Sequence, residues 1–367
     1  MEPMILTLVV SNLTHRPVRT ALSIAAIALE VTMILTLVGV SYGTLDESAR
    51  RARGVGADLL VRPPGTSILS LSSAPMHDTL IDFVAKQPHV TLATGSAVQP
   101  LSGFDAVNGI DLPAFTRMSG GFKFLEGGPF QQPNDVILDE YYAKEHHLHA
   151  GSWVQLMGRQ WHVAGIFESG KLARICVDLK VLGDITGNPG RLSQIYVKTD
   201  NPANNKAVLE DLRNKMPGYQ IYTMEEFTSL LTISNVSMLR NFIYVVIGVA
   251  VVVGFLAVFM SIYTAVLERT REIGILKALG ASPGFIGSLL IRETLLLAVL
   301  GTVAGIGLTY VTQWAIHTFS PASLTQETVY LWWPIAGLIA IGGALLGVVV
   351  PVTKALRQDA TEALSYE

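Results

Sequence analysis

The stretch LERTREIGILKALGAS, residues 267–282, lies between two apolar runs that are each long enough to cross a bilayer. It is short, charged and amphipathic. A helix in that position would lie at the membrane surface, where a water-soluble partner can contact it. The stretch therefore predicts a membrane protein that is moved by a soluble partner.

The composition also indicates a membrane protein. Half of the 367 residues are hydrophobic and only 15% are charged, against about 25% charged residues in ordinary soluble domains. A spanning helix needs roughly 20 mostly apolar residues, and four windows qualify: 20–42, 242–267, 285–317 and 331–352. Their number disfavours the alternative of buried core helices. The net charge of −3 argues against a nucleic-acid partner.

The first window differs from a cleaved signal peptide. Its apolar stretch is longer than the usual 7–15 residues or so of such a signal, and we predict a retained anchor. Apolar residues recur at helical spacing within residues 1–19, which predicts an amphipathic helix on the cytoplasmic membrane face.

Basic residues near the spans predict the orientation. The N-terminus, the segment 268–284 and the tail 353–367 all carry Lys or Arg, whereas the loop 318–330 carries none. Both termini and the segment 268–284 are therefore predicted to be cytoplasmic. Four arginines that follow the first span oppose this orientation: Arg50, Arg51, Arg53 and Arg62. Long domains cross membranes largely regardless of charge. The predicted orientation therefore rests on the other segments.

Residues 43–241 are predicted to form an extracytoplasmic mixed α/β domain. Helical spacing appears around Val84 and Leu209. Strands are predicted at 153–156, 160–167, 193–198 and 219–222. We expect a β-rich insertion from about 121 to 199. The predicted fold class is an α-helical membrane protein with four transmembrane helices, one before and three after this domain.

One loop resembles a nucleotide site. Residues 165–172, GIFESGKL, nearly match a phosphate-binding loop, but Leu172 occupies the position of the hydroxyl that holds magnesium. A strand-like pattern follows where a helix is required. We interpret the loop as a hairpin turn and predict that this chain alone is not an ATPase.

The histidines and the single cysteine give little support for a metal site or a disulfide. His146, His147 and His149 lie near Glu140 and Glu145, but adjacent residues on a helix point in different directions. We favour a solvated helix end. We therefore predict no catalytic, cofactor-binding or metal-binding residue. The lone cysteine, Cys176, excludes an intramolecular disulfide.

The predicted spans contain an acidic residue, Glu30, and two pairs of glycines at four-residue spacing. Glu30 lies deep in the first span, where ionisable groups are expensive and usually face protein or water. It is a candidate intramembrane polar site, in a substrate path or at a dimer seam. The alternative is a protonated glutamate bonded to a neighbouring helix, aided by Thr32 or Thr36. Gly301-x-x-x-Gly305 and Gly343-x-x-x-Gly347 predict close helix approach.

Three stretches carry a resemblance to a known family. They are Asn12-Leu13 with Arg16, Arg19-Thr20 and Leu22; Arg271-Glu272-Ile273-Gly274 with Lys277-Ala278 and Gly280-Ala281-Ser282; and Asp359 with Glu362-Ala363-Leu364 and Tyr366-Glu367. With these residues and its one-plus-three spans, nearly the whole chain resembles the FtsX/MacB-type permeases of ABC transporters, also called type VII.

The resemblance implies a non-catalytic subunit bound to two copies of a separate ABC ATPase and paired with a second permease copy or homologue. The ATPase would bind ATP and Mg²⁺, and this chain would bind no cofactor. Members of the MacB branch carry a fused N-terminal ATPase, whereas only about 19 residues precede the first span here. The outer domain would contain subdomains like the family's Porter and Sabre.

The resemblance also implies that the segment 268–284 contains a coupling helix. In this family such a helix sits in a groove of the ATPase, and motion is relayed to the outer domain, which is called mechanotransmission. The residues expected to contact the ATPase are Glu268, Arg269, Arg271, Glu272, Lys277 and Gly280.

Two function classes follow from the resemblance. The first is export or extraction of a lipid, lipoprotein, peptide or drug-like substrate at the bacterial cytoplasmic (inner) membrane. The alternative is a transmembrane regulator of an extracytoplasmic cell-wall hydrolase that transports nothing. A periplasmic adaptor would accompany the first class, and a hydrolase would accompany the second.

Overall fold

A computed structural model describes residues 17–66, 76–101, 105–231, 237–268, 275, 281–319 and 325–357. The chain divides into two compact units. The membrane unit contains Met1–Ser41, Met238–Ala315 and Gln326–Glu367. The α/β unit contains Tyr42–Ser237 and Ile316–Thr325.

The helices and strands of the described residues are numbered here in chain order. The helices are α1 (Pro17–Arg53), α2 (Thr79–Ala85), α3 (Leu112–Ser119), α4 (Glu140–Glu145), α5 (Leu179–Ile185), α6 (Asn205–Lys215), α7 (Met224–Leu230), α8 (Ser237–Glu268), α9 (Pro283–Phe319) and α10 (Trp332–Arg357). The strands are β1 (Leu59–Arg62), β2 (Met76–His77), β3 (Val90–Pro100), β4 (Ala106–Ile110), β5 (Phe124–Gly127), β6 (Asp135–Asp139), β7 (Trp153–Leu156), β8 (Arg159–Phe167), β9 (Ile175–Asp178), β10 (Arg191–Leu192), β11 (Gln194–Thr199) and β12 (Gln220–Thr223).

Four of the described helices are long and apolar enough to cross a membrane. The candidate spans are Thr20–Arg53, Arg240–Met260, Pro283–Phe319 and Trp332–Thr353. The predicted fold class, four spanning helices plus a large α/β domain, is confirmed. The first helix extends well beyond the predicted window 20–42, and its residues from Tyr42 onward belong to the α/β unit.

Glycines set the packing of α9 against α1 within the membrane unit. A Cβ added at Gly301 would lie 2.6 Å from the Ile27 Cβ, and one at Gly305 would lie 2.7 Å from the Val31 Cβ. Thr32 Oγ1 donates a hydrogen bond to the Gly305 carbonyl at 3.0 Å. The close approach predicted for this glycine pair is confirmed, since the two helices touch through backbone and β-carbons.

The second glycine pair, Gly343 and Gly347, lies where α10 packs against α8. A Cβ at Gly347 would lie 3.0 Å from the Phe255 carbonyl oxygen, and one at Gly343 would lie 3.8 Å from that of Val251. Small residues on α10 also form a buried stripe at four-residue spacing: Ala336, Ala340 and Ala344. This prediction is also confirmed.

The main sheet of the α/β unit joins two halves. Its order is β12-β1-β11-β3-β4-β9-β6-β8-β5, with β7 paired to β8. The halves meet where β4 pairs with β9 in parallel. One half packs α2 and α6 residues around Leu59 and Ile195, and the other packs around the fully buried Trp161.

The strand order refines the predicted insertion. β11 falls within the proposed range 121–199, yet it pairs with β1 and β3 of the first half. The strands of the second half run from β5 to β9, which is residues 124–178. The predicted strands at 153–156 and 160–167 correspond to β7 and β8, which pair as a hairpin: Leu156 pairs with Arg159, and Met157 and Gly158 turn with φ of 53° and 72°.

Candidate functional site

The predicted coupling segment is bounded by two helices of the membrane unit. Glu268 is the last residue of α8, and Pro283 is the first of α9. The Ser282 hydroxyl accepts a hydrogen bond from the Phe285 N–H at 3.3 Å, as an N-cap does. The other predicted ATPase contacts lie outside the described residues: Arg269, Arg271, Glu272, Lys277 and Gly280. Their role stays a prediction.

Glu30 lies inside the membrane unit and is only 4% exposed. Among the described residues, no hydrogen-bond partner reaches its Oε1. Gly254 on α8 and Gly343 on α10 make room for the carboxyl group: a Cβ at Gly254 would overlap it, and one at Gly343 would lie 4.0 Å from Oε1. The glutamate therefore occupies a niche between helices.

The threonines suggested as partners of Glu30 bond elsewhere. Thr32 donates to the carbonyls of Ala28 and Gly305 at 2.7 and 3.0 Å. Thr36 pairs with the Thr312 hydroxyl at 3.0 Å. Both threonines fasten α1 itself or its contact with α9, and the suggestion that they assist Glu30 is wrong.

Sequence reasoning missed a second buried carboxyl group in the membrane unit. Glu293 on α9 is 1% exposed. It lies on the buried face of α9, in register with Leu290, Leu297 and Gly301. That helical spacing was the available signal, since it places Glu293 on the same face as the glycines that contact α1.

The α/β unit contains a buried charged cluster at the end of α1. We call Glu47, Arg51, Asp139 and Arg174 the helix-end cluster. The Arg51 Nε lies 3.9 Å from the Glu47 Oε1, and the Arg174 Nε lies 4.0 Å from the Asp139 Oδ2. The side chains of Glu47, Arg174 and Asp139 are 6%, 10% and 1% exposed. Ionisable groups from three separate parts of the chain therefore lie close together, with Arg51, at 21% exposed, on the outer side.

Hydrogen bonds tie the end of α1 to the loop between β8 and β9. The Leu172 N–H donates to the Arg51 carbonyl at 3.0 Å. The Ser169 hydroxyl donates to the Glu47 Oε1 at 3.4 Å. A Cβ at Gly54 would overlap the Gly170 carbonyl oxygen, so the backbones are in direct contact there. The last turns of α1 are held by backbone, side-chain and van der Waals contacts together.

The phosphate-loop candidate belongs to this same loop. Lys171 donates its Nζ hydrogens to the carbonyls of Ser119 and Gly121 at 3.0 and 2.5 Å. Strand β9 follows at Ile175, where a nucleotide loop would open a helix. The interpretation as a hairpin is wrong in detail, because β6 lies between β8 and β9 in the sheet. The lysine serves as a structural donor.

The three histidines have separate surroundings. The His146 ring packs against the Tyr142 ring in a tilted arrangement, with ring centroids 4.3 Å apart. His149 Nδ1 lies 3.3 Å from Glu126, and His147 turns the chain with φ of 54°. Among the described residues, no three His, Cys, Asp or Glu side chains are grouped as metal ligands.

Two protein families match this chain. The family described as "MacB-like periplasmic core domain" matches residues 20–215. The family described as "FtsX-like permease C-terminal" matches residues 244–360. The first match covers more than half of the chain, and the two together cover most of the α/β unit and nearly all of the last three spans.

Curated relatives of the chain include one protein from Escherichia coli and one from Bacillus subtilis. The macrolide export ATP-binding/permease protein MacB of Escherichia coli is 24% identical over 393 residues, covering 96% of this chain and 59% of the relative. The ABC transporter permease YknZ of Bacillus subtilis is 31% identical over 169 residues, covering 44% of this chain and 40% of the relative. The chain thus spans about three fifths of the length of MacB.

A solved structure, the periplasmic region of MacB from Actinobacillus actinomycetemcomitans, aligns with a TM-score of 0.37 and 16% identity. The alignment covers 49% of this chain and 94% of that structure. The two family matches and the four apolar helices beside an α/β unit agree with one another. The chain belongs to the FtsX/MacB-type family of ABC transporter permeases.

Proposed function

We propose that this chain relays the ATP-driven motion of a separate ABC ATPase to its own α/β unit. The observation that supports this most directly is the attachment of α1. One uninterrupted helix, Pro17–Arg53, supplies residues to both units, and its end is bonded to the loop containing Ser169 and Leu172. A displacement of that helix end must carry the loop and its neighbouring strands with it.

The substrate class follows from where such motion would act. We expect a lipid, lipoprotein, peptide or drug-like molecule that the α/β unit handles directly, without a path through the spans. MacB of Escherichia coli, similar over most of this chain, is named for macrolide export. Two permease copies and two ATPase copies would form the complete transporter in the bacterial cytoplasmic membrane.

The orientation is part of the proposal. Two of the four arginines that oppose it have acidic neighbours in the α/β unit: Arg50 lies 3.0 Å from Asp46 and Glu47, and Arg51 belongs to the helix-end cluster. Such arginines act within a folded domain and carry little topological weight. We therefore place the segment 268–284 in the cytoplasm and the α/β unit outside.

Cysteine labelling tests this orientation. Ser229 and Ser282 are exposed, and the native Cys176 is fully buried. We expect the Ser229→Cys variant to react with an impermeant thiol reagent added to intact cells and the Ser282→Cys variant to react only after permeabilisation. Labelling of position 282 from outside, with position 229 silent, would invert the topology.

Charge reversal tests the coupling. The double variant Arg271→Glu/Glu272→Arg should recover about tenfold less ATPase in a pull-down, because like charges brought together at an interface cost several kcal/mol and about 1.4 kcal/mol is tenfold. Hydrolysis by the reassembled complex should fall in parallel. Thermal stability should stay unchanged, since exposed charges contribute at most about 1 kcal/mol.

A matched reversal supplies the control. Lys206 and Glu210 are exposed on α6, and their exchange should leave ATPase binding intact. Full binding and full activity of the Arg271/Glu272 variant would exclude these two residues from coupling. Loss of binding in both double variants would point to a general charge effect and would also contradict the proposal.

A further inference from the structure

The helix-end cluster contains a carboxyl group whose surroundings do not suit an ionised carboxylate. The Asp139 Oδ1 accepts the Tyr142 N–H at 2.8 Å, as the N-cap of α4. Among the described residues, its Oδ2 has no hydrogen-bond donor, and the Arg174 Nε at 4.0 Å is too distant to bond. A buried carboxylate with one oxygen unsatisfied is costly, and protonation removes the charge that causes the cost.

We propose that Asp139 is a proton-binding site whose occupancy controls how firmly the end of α1 is held to the sheet. The site is close to the attachment: the Asp139 N–H donates to the Arg174 carbonyl at 2.8 Å, and the Leu172 N–H donates to the Arg51 carbonyl. Opening this region would expose Asp139 to water, where it ionises freely. The proposal concerns the purified chain and is independent of the ATPase coupling.

The groups around Asp139 shift its pKa in opposite directions. Burial raises the pKa of Asp139 to about 7 from an ordinary value of 3.8, while the Tyr142 N–H, Arg174 and Arg51 oppose the rise. Glu47 on α1 adds to the rise. Burial also raises the pKa of Asp105, which faces Arg174, His146, Glu145 and Arg51. The neutral thiol of Cys176 lies on the neighbouring strand β9.

The direction of the pH dependence follows from the thermodynamic linkage between proton binding at Asp139 and the attachment of α1. In the closed state the end of α1 is held to the sheet and Asp139 is buried, and in the open state Asp139 meets water. A group whose pKa is higher when buried than when exposed binds its proton more tightly in the closed state. The closed state is therefore fully favoured below about pH 4 and loses stability as the pH rises toward 7, where the buried carboxyl also ionises. The attachment of α1 should be firmest in acid and weaker at neutral pH.

Hydrogen exchange of the full chain in detergent tests the proposal. After correction for intrinsic exchange rates, protection of the Leu172 and Asp139 amides should fall about a hundredfold between pH 5 and pH 8, because the buried pKa of about 7 gives a tenfold fall for each pH unit below it. Asp139→Asn and Asp139→Ser keep an N-cap oxygen and remove the titration, and both should flatten this profile. The pH dependence of the native chain can be read whether or not either variant folds.

Asp135 provides the matched control. It lies at the other end of β6 and accepts the N–H groups of Gln131 and Gln132 at 2.9 Å. These bonds and His162 hold its pKa below the ordinary value despite partial burial. Asp135→Asn should therefore leave the profile at Leu172 unchanged. A native profile that is flat or rises with pH, or an Asp139→Asn profile that keeps its slope, would overturn the proposal.

Discussion

The Gly305→Val variant is expected to lose about 3 kcal/mol of stability, because its side chain would enter the space that α1 occupies. The added Cβ alone would lie 2.7 Å from the Val31 Cβ and 2.8 Å from the Ala28 carbonyl oxygen. Overpacking of a well-packed contact costs typically about 1–3 kcal/mol, and two further methyl groups place this change at the upper end. Separation of the helices would also break the bond from Thr32 to the Gly305 carbonyl.

The measurement is thermal unfolding of the purified chain in detergent, followed by tryptophan fluorescence. Gly307 lies on the same helix, and a Cβ there meets no atom within 4 Å among the described residues. The Gly307→Val variant should match the native chain within about 1 °C, whereas Gly305→Val should unfold roughly 5 °C earlier. Equal midpoints for the two variants would show that α1 and α9 do not pack through Gly305.

The Gly54→Ala variant should have the second largest effect, and it acts on the attachment of α1. Gly54 has no left-handed backbone that would itself oppose alanine, but its Cβ would overlap the Gly170 carbonyl oxygen. Backbone cannot move aside as a flexible side chain can. We expect a loss of about 2–3 kcal/mol and weaker protection of the Leu172 amide, which bonds to the end of α1.

Hydrogen exchange and thermal unfolding together measure this effect. At Gly128, in the same unit, an added Cβ meets no described atom within 4 Å, and Gly128→Ala should leave both readouts unchanged. If Gly54→Ala lowers global stability while the Leu172 amide stays protected to the same relative degree, the helix end is not fastened at this contact.

The features that could be predicted from the sequence are those that neighbouring residues determine. A bilayer demands a long apolar helix, so the spans appear in composition alone. The turn at Met157-Gly158 and the cap at Ser282 each depend on two or three consecutive residues. Glycine spacing predicted which helix faces come close, although it did not identify the partner helix.

The helix-end cluster depends on pairing between distant segments, and no local pattern reveals it. By its position after the first span Arg51 opposes the predicted orientation, whereas in the structure it lies beside the buried Glu47. Asp139 precedes a short helix, which predicts a capping role but not the approach of Arg174. The place of β11 in the sheet could not be predicted for the same reason. Its own residues predict a strand, but only the sheet shows that β1 and β3 are its neighbours.

The position of β1 in the sheet has a consequence for biogenesis. β1 is made soon after α1, but both of its partners, β11 and β12, are made much later in the chain. At roughly 5–20 residues per second, the emerging strand would wait on the order of 10–30 s with both edges unpaired. Unpaired edges invite aggregation. The nascent chain should therefore need a chaperone on that side of the membrane until β12 is released, shortly before α8 is synthesised.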